Sequence, residues 1–231
     1  MFSFDGRNAS LPQGGLLLGS DGNFYGTTAF GGTNQAHGTI FKITTNGALT
    51  TLFNFHFADG RQPTTKLIQA YDGALYGTTL LGGSTKAVPG LPGDARLGTV
   101  FRITTNGVFT SLAQFQGTNG FYPSGSLLMG PDGNLYGTTS QGGSGGGDTI
   151  FRIDLTPHLA GVTKTANGSI LITGTGPAAS PFRLWTATDV SAPLESWTLL
   201  TNGIFSDDGT FSFTDSASAS LPARFYRIST P

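Results

Sequence analysis

An all-β fold is what this sequence predicts: a β-propeller-like array of four-stranded antiparallel blades, followed by a small immunoglobulin- or fibronectin-III-like β-sandwich. Three observations lead there. A long motif recurs three times, as Asp21-Gly-Asn-Phe-Tyr-Gly-Thr-Thr28, Asp72-Gly-Ala-Leu-Tyr-Gly-Thr-Thr79 and Asp132-Gly-Asn-Leu-Tyr-Gly-Thr-Thr139. Hairpin-type dipeptides punctuate short alternating segments, and no 3.6-residue apolar pattern outlasts a turn. Glycine, at 36 of 231 residues, is about twice its usual share, as a turn-rich chain requires.

Each repeat reads as four strands. In the first, strand A covers Gly15–Ser20, Asp21-Gly22 turns it into strand B at Asn23–Thr28, and a Gly-rich loop leads to strand C at Thr39–Thr45. Asn46-Gly47 then turns the chain into strand D at Leu49–Phe55. Asp-Gly and Asn-Gly are strong signals for a two-residue type I′ hairpin, which needs positive φ at both positions. A recurring period near fifty residues implies stacked units, none of which can bury its apolar surface alone. The repeats run over about 12–62, 63–122 and 123–157. The length difference between them falls wholly between Gly83 and Gly98, as expected of a surface loop.

The third repeat stops after strand C, at Asp154-Leu-Thr-Pro157. At the other end, Phe2-Ser-Phe4 matches Phe55-His-Phe57, so the chain opens on the tail of a strand D. Three blades fall short of the roughly 4–8 of a closed ring. The reading taken is a partial propeller over 1–157, with a two-chain ring or a compact three-sheet stack as alternatives. Residues 158–231 show six short strand-like segments, with turns at Asn167-Gly168, Gly176-Pro177, Asn202-Gly203 and Asp208-Gly209. Ile170, Ile172, Phe211, Phe213 and Phe225 supply inward faces of this second domain, and Trp185 and Trp197 its core aromatics.

Composition excludes several classes of function. A net charge of −1, with Lys and Arg scattered, removes the electrostatic case for nucleic acid. Zero cysteines exclude disulfides and thiol chemistry. No apolar run approaches the roughly 20 residues that span a bilayer, so membrane insertion is not expected. Low charge with Ser, Thr, Asn and Gly enrichment fits an extracellular or cell-surface protein. The N-terminus shows no signal-peptide pattern, which a natural chain beginning upstream would reconcile.

The long motif, followed by Gly-Gly and by Gly-Thr-Φ-Phe-[Lys/Arg]-Ile-Thr-x-x-Gly, resembles the GloVer-type tandem repeat over residues 1 to about 156. That resemblance implies a bacterial exported protein, in a family that often carries a C-terminal sorting anchor and has no established enzymatic activity. The segment from Ser196-Trp-Thr-Leu-Leu200 to Phe225-Tyr226-Arg227 is similar to a fibronectin-III-like module of such proteins. The end, Arg224-Phe-Tyr-Arg-Ile-Ser-Thr-Pro231, carries no hydrophobic sorting tail.

Candidate chemistry is sparse. The Asp-Gly-Asn triplets suit turns better than calcium loops, which need several oxygen ligands at alternating positions. Tyr25, Tyr76 and Tyr136 suit packing between blades better than sugar stacking. Gly142-Gly-Ser-Gly-Gly146 matches a nucleophile-elbow pattern but lies in a glycine tract with no following helix. With Glu195 the one glutamate, a carboxylate pair would rest on Asp94 and Asp148. The loops joining strands B and C share one rim, where His37, Lys86, Asp94, Arg96 and Asp148 are the expected binding residues. No metal or cofactor is expected. The function expected is a non-enzymatic binding or scaffold module with an unknown glycan or protein ligand and self-association through open blade edges. The alternative is a propeller hydrolase or lyase acting on extracellular polysaccharide, with its site in blades outside this chain. An enzyme should gather Asp, His, Arg or Tyr at one end of the strands, whereas the channel-proximal segments here are Leu16-Leu-Leu18, Leu67-Ile68 and Leu127-Leu128-Met129.

Overall fold

The structure, a computed structural model, describes residues 2–5, 9–33, 37–83, 97–216 and 223–230. The chain forms two compact units, Met1–Ile153 and Asp154–Pro231.

The first unit holds three antiparallel sheets. Strands β1 (Leu17–Leu18), β2 (Phe24–Thr28), β3 (Thr39–Ile43) and β4 (Leu49–Asn54) pair in sequence order. Strands β5 (Ile68–Gln69), β6 (Leu75–Thr79), β7 (Thr99–Ile103) and β8 (Phe109–Gln114) repeat that arrangement. The third sheet has three strands, β9 (Leu128–Met129), β10 (Leu135–Thr139) and β11 (Thr149–Ile153), with β11 on its edge.

The Asp, Tyr, second Gly and last Thr of the repeated motif each have a local physical role. The Asp21 carboxylate accepts the Asn23 N–H at 3.1 Å, closing the turn, and its other oxygen accepts the Tyr25 hydroxyl at 2.7 Å. Asp72 with Tyr76, and Asp132 with Tyr136, do the same at 3.0 and 2.8 Å. Glycine at 26, 77 and 137 leaves room for the cross-strand ring: a Cβ there would lie 2.5, 2.6 and 2.3 Å from Cζ of Phe41, Phe101 and Phe151. The last Thr of each motif meets a Thr across the strand, Thr28 with Thr39 and Thr79 with Thr99 at 2.8 Å, and Thr139 with Thr149 at 2.6 Å.

The hairpins are not two-residue type I′ turns. Gly19 N–H donates to Asn23 O and Gly22 N–H to Gly19 O, so the loop is Ser20-Asp21-Gly22. Gly22 alone of these has positive φ (79°). This is the three-residue loop ending in a left-handed glycine, in which Asp keeps an ordinary backbone and uses its side chain as the brace. Thr45-Asn46-Gly47 follows the same hydrogen-bond pattern.

Successive sheets cover one another. Tyr25 and Ile40 of the first sheet, with Phe55 just beyond it, form one buried cluster with Leu67, Leu75, Phe101 and Ile103 of the second. Phe53 lies flat on Phe109, with ring centroids 4.0 Å apart and planes 5° from parallel. Phe55 meets Phe101 edge-on at 5.3 Å, as Phe115 meets Phe151 at 5.1 Å.

That recurrence corrects the N-terminal register. Phe4 packs on Phe41 at 5.4 Å, which puts it in the place of Phe55 and Phe115, not of Phe57. Phe2 and Phe4 are edge-to-face at 5.3 Å, as Phe53 and Phe55 are at 5.2 Å. Phe2-Ser-Phe4 therefore corresponds to Phe53-Asn-Phe55; the two Phe-x-Phe pairs of the sequence made the register ambiguous.

The second unit contains two three-stranded sheets. Strands β12 (His158–Lys164), β13 (Ile170–Thr175), β14 (Pro181–Ala187), β15 (Thr198–Ile204), β16 (Thr210–Asp215) and β17 (Phe225–Ser229) assemble in the orders β12-β13-β16 and β15-β14-β17. Their shared core is Ile172, Phe182, Leu184, Phe205 and Phe211. Asn202-Gly203 is not a turn but lies within β15, paired with Arg183 and Phe182, because the Phe182 ring occupies the space of a Gly203 Cβ. Trp185 and Trp197 are half-buried at the margin, their N–H groups donating to Ser229 Oγ and Ala192 O. Phe225 points outward at 36% exposure, and Tyr226 and Ile228 pack on the core instead.

Candidate active site

At the junction of the first two sheets, the chain leaves β4 and turns back toward β5. Phe55 N–H donates to Gly38 O, and the turn His56–Asp59 is closed by Asp59 N–H to His56 O, both at 3.0 Å. The Asp59 carboxylate accepts the His56 N–H at 3.2 Å and stands 3.3 Å from His56 Nδ1. Arg61 then pairs through its backbone with Leu81, and Gln62, held at φ 56°, donates its N–H to His37 O. This backbone lattice brings the end of the β2–β3 loop against the β4–β5 connection.

Two side chains converge on Phe57, and an imidazole–carboxylate pair lies in the turn beside it. The His37 ring meets it edge-on at 5.5 Å, and the Arg61 guanidinium carbon lies 5.1 Å from its centroid. Arg61 Nε is buried without a hydrogen-bond partner. His56 is exposed and shares Asp59 with the turn. Burial first, then the Arg61 charge and His56, hold the His37 imidazole below its ordinary value of 6.5, so it is neutral at pH 7. A neutral imidazole beside a guanidinium can accept a proton while the cation holds an anionic group.

The second junction has the same backbone without this chemistry. Tyr122 N–H donates to Leu97 O, and Gln116 N–H to Asn119 Oδ1, reproducing the bonds of Gln62 and His56. Yet Leu97, Gln116, Gly117, Asn119 and Phe121 stand where His37, His56, Phe57, Asp59 and Arg61 stand in the first. The fold thus does not require the His–Phe–Asp–Arg group.

Of the residues expected on the rim, His37 is in this cluster and Asp148 is exposed beside β11, in the third sheet. Lys86, Asp94 and Arg96 lie outside the described residues. Sequence reasoning missed His56, Phe57, Asp59 and Arg61. The available signal was their replacement, at matching positions of the next repeat, by residues that cannot titrate.

The model of the Gloeobacter/Verrucomicrobia repeat matches residues 1–189. No curated protein matches the sequence. Among solved structures, the chain is similar to a protein provisionally described as a gluconolactonase (16% identity, TM-score 0.38, covering 94% of this chain and 73% of that one). It is also similar to a gluconolactonase from Xanthomonas campestris (17%, TM-score 0.38, 90% and 62%). A third is the extracellular domain of a protein provisionally described as a hybrid two-component system of B. thetaiotaomicron (12%, TM-score 0.29, 100% and 38%). The chain thus spans under two thirds of the second and third of these. With two of the three described as enzymes, the expectation of a non-enzymatic binding or scaffold module is withdrawn. Likeness at this level assigns no reaction, which has to be argued from the residues of the first junction. By the match over residues 1–189, the chain belongs to the Gloeobacter/Verrucomicrobia repeat family.

Proposed function

We propose that this chain is part of an exported propeller enzyme, a hydrolase or lyase acting on extracellular polysaccharide, with its site on the first junction. On this reading the four-stranded sheets are blades of a propeller arc and the C-terminal unit is a fibronectin-III-like module. The one observation that carries the proposal is the placing of His37 and Arg61 on Phe57, with the His56–Asp59 pair in the same turn, at a junction whose twin does without them. Neutral His37 is the general base, and Arg61 holds a substrate carboxylate, so an acidic polysaccharide is favoured. The His56–Asp59 pair supplies a second imidazole held by a carboxylate, suited to protonating a leaving oxygen.

The test is digestion of a panel of neutral and uronate-bearing polysaccharides, following new reducing ends and the ultraviolet absorbance of unsaturated ends. Cleavage of an acidic polymer should fall about 10²-fold or more in His37→Ala and weaken mainly through KM in Arg61→Gln. Cleavage confined to neutral polymers, or unchanged in His37→Ala, removes the proposal.

A further inference from the structure

The two outer faces of the three-sheet array are both apolar where the inner faces are covered. On the first sheet, Leu16, Phe41, Ile43 and Leu49 line an open apolar groove together with Phe2 and Phe4. The corresponding residues of the second sheet, Leu67, Phe101, Ile103 and Phe109, are the ones that pack against the first sheet. On the third sheet, Ile150 is 80% exposed, whereas Ile40 and Val100 at the same place are fully buried. Leu128 is 68% exposed where Leu17 packs into the junction cluster.

The backbone is complementary in the same sense. The third sheet has β11 on its edge where the others have a fourth strand. The N-terminal segment Phe2-Ser-Phe4 has the ring geometry of Phe53-Asn-Phe55, which is the end of such a fourth strand. In the first sheet Phe53 pairs with Ile40 and Asn54 with Thr39. By the same register, Phe2 would pair with Ile150 and Ser3 with Thr149.

We infer that these faces belong to a head-to-tail contact between two copies of this chain. The N-terminal segment of one copy completes the third sheet of the other, and its first sheet covers Ile150 and Leu128. The occupant is a second copy because the contact continues, residue for residue, the interface already made twice within the chain. Hydrophobic burial drives it, and the edge of β11 gains a partner. A heterologous contact closes only if its rotation permits; two copies supply six sheets, within the roughly 4–8 that close a propeller.

Sedimentation velocity of the full chain over a concentration series should show a two-chain mass. Ile150→Asp, on an exposed side chain that the single chain does not need, should return it to one-chain mass. Val162→Asp, 51% exposed in β12, should leave the pair intact. The chain has no cysteine, so an equal mixture of Phe2→Cys and Ile150→Cys chains should cross-link on mild oxidation, while neither variant alone should. A monomer at every concentration, a dimer indifferent to Ile150→Asp, or cross-links within one variant alone would each overturn the contact. None of these readouts depends on catalysis.

Discussion

The Asp72 carboxylate accepts a hydrogen bond from Arg102 Nε and forms an ion pair with Arg102 Nη2, both 2.9 Å from the same carboxylate oxygen. The pair is almost wholly enclosed, with side-chain exposures of 6% and 2%. Arg102 also keeps Nη1 buried without a partner. Removing one member of a buried pair strands the other. Asp72→Ala is expected to cost about 3–5 kcal/mol in urea unfolding. Asp132→Ala, at the same motif position on an exposed turn, should cost clearly less. Equal losses would mean that the turn, not the ion pair, sets the effect.

The depressed His37 predicts a pH dependence of definite sign. Its folded-state value lies below that of an unfolded histidine, so the unfolded chain binds more protons in between. Its contribution to stability is complete above about pH 6.5 and declines as pH falls through that value toward the folded-state value. An NMR titration should place His37 below 6.5, and Arg61→Gln should move it upward by removing a nearby positive charge. No movement in that variant would contradict the proximity of the two groups.

Gly77→Ala should destabilise the first unit by about 1–3 kcal/mol, the range for overpacking a filled core. The added methyl would lie 2.6 Å from Phe101 Cζ and 2.9 Å from Leu67 Cδ2. Gly145, with nothing within 4 Å of its Cβ direction, is the control and should tolerate alanine. Thermal unfolding of both variants compares them directly.

Thr79→Val keeps shape and removes a fully buried hydroxyl that links Thr99, its backbone N–H and Leu81 O at 2.8, 3.1 and 2.9 Å. Leaving those groups unsatisfied should cost about 1–3 kcal/mol. A neutral result in chemical denaturation would show that the Thr–Thr pair is not needed across the β6–β7 strands.

Repeat period, strand order and the all-β class could be read directly, because apolar alternation and Asp-Gly or Asn-Gly pairs are local properties of the chain. The Asp21–Tyr25 pair could have been read too, since both residues lie in one hairpin. Other errors arose where two local readings were equally good. Asn202-Gly203 has turn chemistry, yet the Phe182 ring claims the glycine's open side and keeps it in a strand. Phe2-Ser-Phe4 could align with either of two Phe-x-Phe pairs until the ring contacts chose between them.

Short-range chemistry written along the chain was enough for the three sheets, since turns, pleat alternation and the Gly-under-Phe fit each involve residues a few positions apart or on paired strands. The cluster around Phe57 is of another kind. His37 and Arg61 become neighbours through the Gln62 N–H to His37 O bond and the Arg61–Leu81 pairing, which exist once two sheets have stacked. Which copy of a repeated residue is enclosed depends likewise on whether another sheet lies over it. Ile40 and Ile150 are the same amino acid at the same strand position, and their burial differs completely because solvent exclusion is a property of the assembled neighbours.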